Sequence, residues 1–136
     1  MTQDKLEKIF KYWLDGAKTD LLSAKDIAQK AKRYSHALFF VHLSIEKILK
    51  AYCIKSLKKH APFGHNLISL ANTAQLELSL GQQKFLAKIN EFNLEARYPE
   101  DLCQWRKQVN QKFCKNYLTW AEGFHQWILE NLKNMP

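Results

Sequence analysis

Residues 35–57, SHALFFVHLSIEKILKAYCIKSL, decide the fold. Ala37, Leu38, Val41, Ile45, Ile48, Leu49 and Tyr52 recur at spacings of three and four, which places them along one face of a helix. Phe39, Phe40 and Leu43 fall outside that stripe. A helix that is apolar around most of its girth sits at the centre of a bundle or against a second subunit, so these three residues mark an expected homodimer surface.

Working outward, about Asp4 to Lys32 forms a second amphipathic helix through Leu6, Phe10, Trp13, Ala17, Leu21 and Ala24. Gly16 is a mild blemish in it, and Thr2 or Asp4 caps its start. Arg33-Tyr34-Ser35 reads as the turn between the two helices, with Ser35 as the N-cap. Downstream, Pro62 and Gly64 punctuate a loop, and Asn66 caps a short helix through Leu67, Leu70 and Ala74. A fourth helix runs from about Gln82 until Pro99 stops it. The last, about Leu102 to Leu132, carries Trp105, Phe113, Trp120 and Phe124 at helical spacing. The expectation is an all-α protein: one domain over residues 1–136, folded as an antiparallel, up-and-down bundle of about five helices.

Composition agrees with that reading. A chain of 136 residues with 46% hydrophobic and 25% charged residues is ordinary for one globular domain. Four glycines and three prolines favour long helices over many tight turns. Cys53, Cys103 and Cys114 are odd in number and lack Cys-x-x-Cys spacing, which argues for a reducing compartment. The charged N-terminus lacks a signal-peptide apolar region, and no uncharged run approaches the roughly 20 residues that span a bilayer. A cytoplasmic protein without a membrane partner is expected. The net charge of +8 is most one-sided around Lys47, Lys50, Lys55, Lys58 and Lys59, which raises the prospect of phosphate-bearing partners.

Several chemistries lack their signatures. The five histidines include no His-Glu-x-x-His pair, the glycines are too scattered for a phosphate loop, and no cysteine has a local base. No metal, no cofactor and no catalytic residue is therefore expected. Two clusters remain. In Glu46-Lys47-x-x-Lys50-Ala51, Glu46 follows His42 by one turn and precedes Lys50 in the favoured order for a helical ion pair. In Glu95-Ala96-Arg97-Tyr98-Pro99, an arginine and an aromatic ring can present a planar donor fork and a stacking face to a phosphate or base.

These clusters, in this order, resemble the HEPN family (higher eukaryotes and prokaryotes nucleotide-binding). The resemblance takes in Trp13, Ala17, Asp20, Leu21 and Ala24, then Tyr34 to Phe40 leading into Ile45-Glu46-Lys47-Ile48-Leu49-Lys50-Ala51. It continues through His65-Asn66-Leu67-Ile68-x-Leu70 and Asn90-x-x-Asn93-x-x-x-Arg97-Tyr98-Pro99 to the terminal helix. It implies a helical bundle that often dimerises and is often encoded beside a minimal nucleotidyltransferase in a toxin–antitoxin-like pair. It further implies a nucleotide-binding set of Lys47, Lys50, His65, Arg97 and Tyr98. Ribonuclease members carry an Arg and a His four to six residues apart. Here Arg33 and His36 are too close, and Arg97 and Arg106 have no His in range. The departure favours a non-catalytic nucleotide- or RNA-binding subunit. A divergent ribonuclease pairing Arg97 with His65, or a purely structural bundle, are the alternatives.

Overall fold

The computed structural model describes residues 2–93 and 98–135. Among them six α-helices follow one another: α1 Gln3–Asp26, α2 Tyr34–Leu57, α3 Leu67–Thr73, α4 Leu80–Asn90, α5 Pro99–Gln108 and α6 Gln111–Lys133. No strand occurs among the described residues.

Thr2 caps α1, its hydroxyl accepting from Lys5 N at 3.2 Å. The helix then widens into a π-type turn at Ile27–Ala31 and stops where Lys32 turns left-handed at φ 56°. Arg33 N donates back to Ile27 O at 3.3 Å, which closes the reversal early. The ladder of α2 consequently begins from the Arg33 carbonyl, which accepts from Ala37 N at 3.0 Å. Ser35, expected as the cap, is instead buried in the first turn of α2.

α2 is the axis of the molecule, with Leu38, Val41, Ile45, Ile48 and Leu49 fully buried. α1 lies antiparallel along it: Asp20 meets Lys47, Trp13 meets Lys50 and Glu7 meets Lys55. Its Gly16 is explained by this contact. A Cβ there would lie 3.1 Å from Lys47 Cδ, so the missing side chain gives Lys47 its passage across α1. α6 runs antiparallel to α1 but alongside α2 in the same sense. Cys114 lies near Tyr34, and His125 near Ser44. The segments α3, α4 and α5 carry the chain back to make that possible.

The later helix boundaries differ from the sequence reading for local reasons. Ser79 and Gln82 form a reciprocal capping box, with Gln82 N donating to Ser79 Oγ at 3.1 Å and Ser79 N donating to Gln82 Oε1 at 2.9 Å. That box starts α4 at Leu80. The helix ends at Asn90, and Phe92 just beyond it is buried against Trp105 and Tyr117 with ring centroids 5.0 and 4.9 Å away. Pro99 therefore does not stop α4; it opens α5 at the first helical position, where a missing N–H costs nothing. The expected last helix is broken in two. Val109 is extended, and Asn110 Oδ1 accepts from Phe113 N at 2.8 Å to start α6.

Candidate functional site

Glu46 is the centre of the most connected polar group. It projects from the middle of α2, and its side chain is only 7% exposed. A carboxylate so removed from water needs compensating partners. Lys50, one turn on, donates to Oε2 at 3.0 Å, and His65 Nδ1 donates to Oε1 at 2.9 Å. His42, one turn back, brings its Nδ1 to 3.9 Å from Oε1. The ion pair read from the Glu46–Lys50 spacing is thus present, and so is the neighbouring His42.

The second face of Lys50 is closed by Trp13, whose ring centroid lies 5.0 Å from Nζ. Lys50 is held between a carboxylate and an indole and is only 8% exposed. Lys47 turns the other way, its Nζ 2.7 Å from Asp20 Oδ2 on α1, and remains about a quarter exposed. Although one residue triplet separates the two lysines, they are directed into different internal ion pairs.

His65 is the outward end of the group, with its side chain 62% exposed. The loop that carries it is pinned at three points. His42 Nε2 donates to the His65 carbonyl at 3.2 Å, which fixes the tautomer of His42 with its proton on Nε2. Asn66 caps α3 by accepting from Ser69 N at 3.1 Å. Asn90, at the end of α4, accepts from Leu67 N at 2.8 Å. Asn90 Nδ2 also donates to Asn66 Oδ1 at 3.4 Å. With Nδ1–H committed to Glu46, the Nε2 edge of His65 faces outward.

Of the five residues expected to bind nucleotide, the structure brings Lys50 and His65 together through Glu46. Lys47 goes to Asp20, Tyr98 stands exposed at the start of α5, and Arg97 lies outside the described residues. Sequence reasoning missed Glu46 as the hub and Asn90 as the loop clamp. The placement of Glu46 one turn from both His42 and Lys50 was the available signal for the first. For Asn90 the signal was its position at the head of the Asn90-x-x-Asn93 motif.

The remaining titratable side chains do other work. Burial pushes the Cys53 thiol up to about 11, the Lys50 charge acting weakly against it, and burial alone raises Cys114 to about 11. Both are poor nucleophiles near neutral pH. Burial, with help from the Lys25 charge, lowers His125 to about 4; its Nε2 lies 3.3 Å from Ser44 Oγ, deep between α2 and α6. Among the described residues no three His, Cys, Asp or Glu side chains are arranged to hold a metal ion, and no helix is long and apolar enough to cross a membrane.

The HEPN domain family matches residues 10–132, and the chain belongs to that family. The match runs from α1 to the end of α6 and contains every residue of the Glu46 group. Membership implies a nucleotide- or RNA-related function. No curated protein and no solved structure matches the chain.

Proposed function

We propose that this protein is a non-catalytic HEPN subunit that binds nucleotide at the surface presented by His65. The observation that carries the reading is the Glu46–His65 pair: a buried carboxylate orients an exposed imidazole whose second nitrogen is free for a ligand. The rigid loop holds that edge in place, which limits the ordering cost of binding. Arg97 and Tyr98 would supply a bidentate donor and a stacking ring from the segment that follows α4. The subunit acts as a homodimer with a minimal nucleotidyltransferase partner in a toxin–antitoxin-like pair. Half-buried Phe39, Phe40 and Leu43 on α2 support an apolar contact surface for that assembly.

Calorimetric titration of ATP into wild type and His65→Ala tests the assignment. Binding that weakens about tenfold in the variant, the equivalent of about 1.4 kcal/mol, is expected. Equal affinity in both proteins would remove His65 from the site.

The same pair favours one second reading. A carboxylate holding an imidazole by Nδ1 leaves Nε2 poised as a general base, so His65 with Arg97 would cleave RNA. Metal-independent RNA cleavage lost in His65→Ala would establish that reading in place of the first.

A further inference from the structure

A groove of about 600 Å³ lies between α1 and α6. Leu21 and Leu22 wall it from α1, and Leu129 walls it from α6. Leu22 is 61% exposed, so part of this apolar wall is open to solvent. Gly123 on α6 keeps the space clear, since a Cβ built there would meet no atom within 4 Å. The charged residues of the lining are Lys18, Lys25 and Glu122. Lys25 and Glu122 pair between the two helices at 3.1 Å, which leaves the groove with a net positive charge.

His125 lines the same groove although it is only 5% exposed. Its two ring nitrogens are differently engaged. Ser44 Oγ donates its only hydrogen to Val41 O at 2.9 Å, so at 3.3 Å it accepts from His125 Nε2. With the proton on Nε2, Nδ1 carries a lone pair. Burial and the Lys25 charge hold the pKa at about 4, so the ring stays neutral near physiological pH. Nδ1 has no hydrogen-bond partner among the described residues, yet it is not sealed from solvent. The groove is the opening through which it is reached. A deeply set acceptor beside apolar walls is the arrangement that orients a small ligand.

We propose that this groove binds a small uncharged phenol, its hydroxyl donating to His125 Nδ1 and its hydrocarbon part lying on Leu21, Leu22 and Leu129. Nδ1 of the neutral ring can only accept, so the ligand must bring the donor. The net positive charge of the lining disfavours an ammonium in that role. A phenol O–H is a stronger donor than an aliphatic hydroxyl, and its flat apolar ring suits a cleft between two helices. The volume falls within the roughly 300–1,000 Å³ of small-molecule sites. The site is distinct from the Glu46 group. Ser44, which holds His125, and Glu46 point about 200° apart around α2, at about 100° per residue.

Titration of para-butylphenol into the protein, followed by calorimetry and by the imidazole nitrogen resonances, tests the proposal. The matched control is para-butylanisole, the methyl ether that lacks the donor. The phenol should bind about tenfold more tightly than the ether. It should also move the His125 Nδ1 resonance upfield, as acceptance of a hydrogen bond by a bare ring nitrogen does. Gly123→Leu, whose side chain enters the open space, should abolish phenol binding without lowering the melting temperature. An added Cβ meets nothing there, and leucine is the better helix former. Phenol that does not bind wild type, phenol and ether that bind equally, or an unaltered affinity in Gly123→Leu would each overturn the assignment.

Discussion

His65 Nδ1 donates to Glu46 Oε1 at 2.9 Å, coupling an imidazole that is 62% exposed to a carboxylate that is 7% exposed. The opposite oxygen of the same carboxylate accepts from Lys50 at 3.0 Å, so one buried charge serves the fold and the surface site together. Removing it in Glu46→Ala leaves Lys50 charged and unpaired in the interior. The expected loss is roughly 3 kcal/mol of unfolding free energy in urea denaturation. Glu46→Ala/Lys50→Met should recover part of that loss, because the stranded ammonium is gone. A single variant as stable as wild type would show that the group is not a structural hub.

Gly16 is expected to tolerate alanine but not a larger residue. A Cβ would meet Lys47 Cδ at 3.1 Å, and that contact is the middle of a flexible side chain that can shift slightly. The gain in helix propensity, about 1 kcal/mol, then outweighs the adjustment. Gly16→Leu should displace Lys47 from Asp20 and destabilise α1 against α2. Thermal melts of the two variants should move in opposite directions.

Stability should depend on pH through His125. Its folded pKa is about 4, lowered by burial and then by Lys25, against an ordinary value of 6.5. Between these values the unfolded chain takes up a proton that the folded chain refuses. The stabilising contribution is therefore complete above about 6.5 and declines as pH falls toward 4, by roughly 3 kcal/mol over the interval. The difference in unfolding free energy between wild type and His125→Gln should trace that decline; a difference independent of pH would contradict it.

Thiol reactivity should divide by position. Cys103 is exposed, whereas Cys53 and Cys114 are buried with thiols pushed up to about 11. A chromogenic disulfide reagent near neutral pH should modify one thiol per native chain rapidly and all three after unfolding. Fast reaction of a second thiol in the native protein would place it outside the core.

The helices were legible wherever side-chain period and burial coincide, as along Ala37–Leu49 and in the Asn66 cap. The boundaries that escaped depend on local hydrogen bonds between residues close in sequence: the backbone reversal at Lys32, the Ser79–Gln82 box, and the Asn110 cap that starts α6. An asparagine preceding an apolar run is a cap signal, but an unbroken aromatic period from Trp105 to Phe124 obscured it. The site was half legible. Charge type and i,i+4 order identified Glu46 and Lys50, yet spacing along α2 could not show that Asp20 on another helix would take Lys47. Nor could it show that Arg106 on α5 would share a groove with Arg33 and Ser35 at the start of α2.

The central claim is recognition without cleavage, and one assay reads both. A labelled single-stranded RNA incubated with the purified protein, with and without divalent cations, is run on native and denaturing gels in parallel. The account predicts a shifted complex on the first and full-length RNA on the second. Shortened RNA that His65→Ala no longer produces would contradict it.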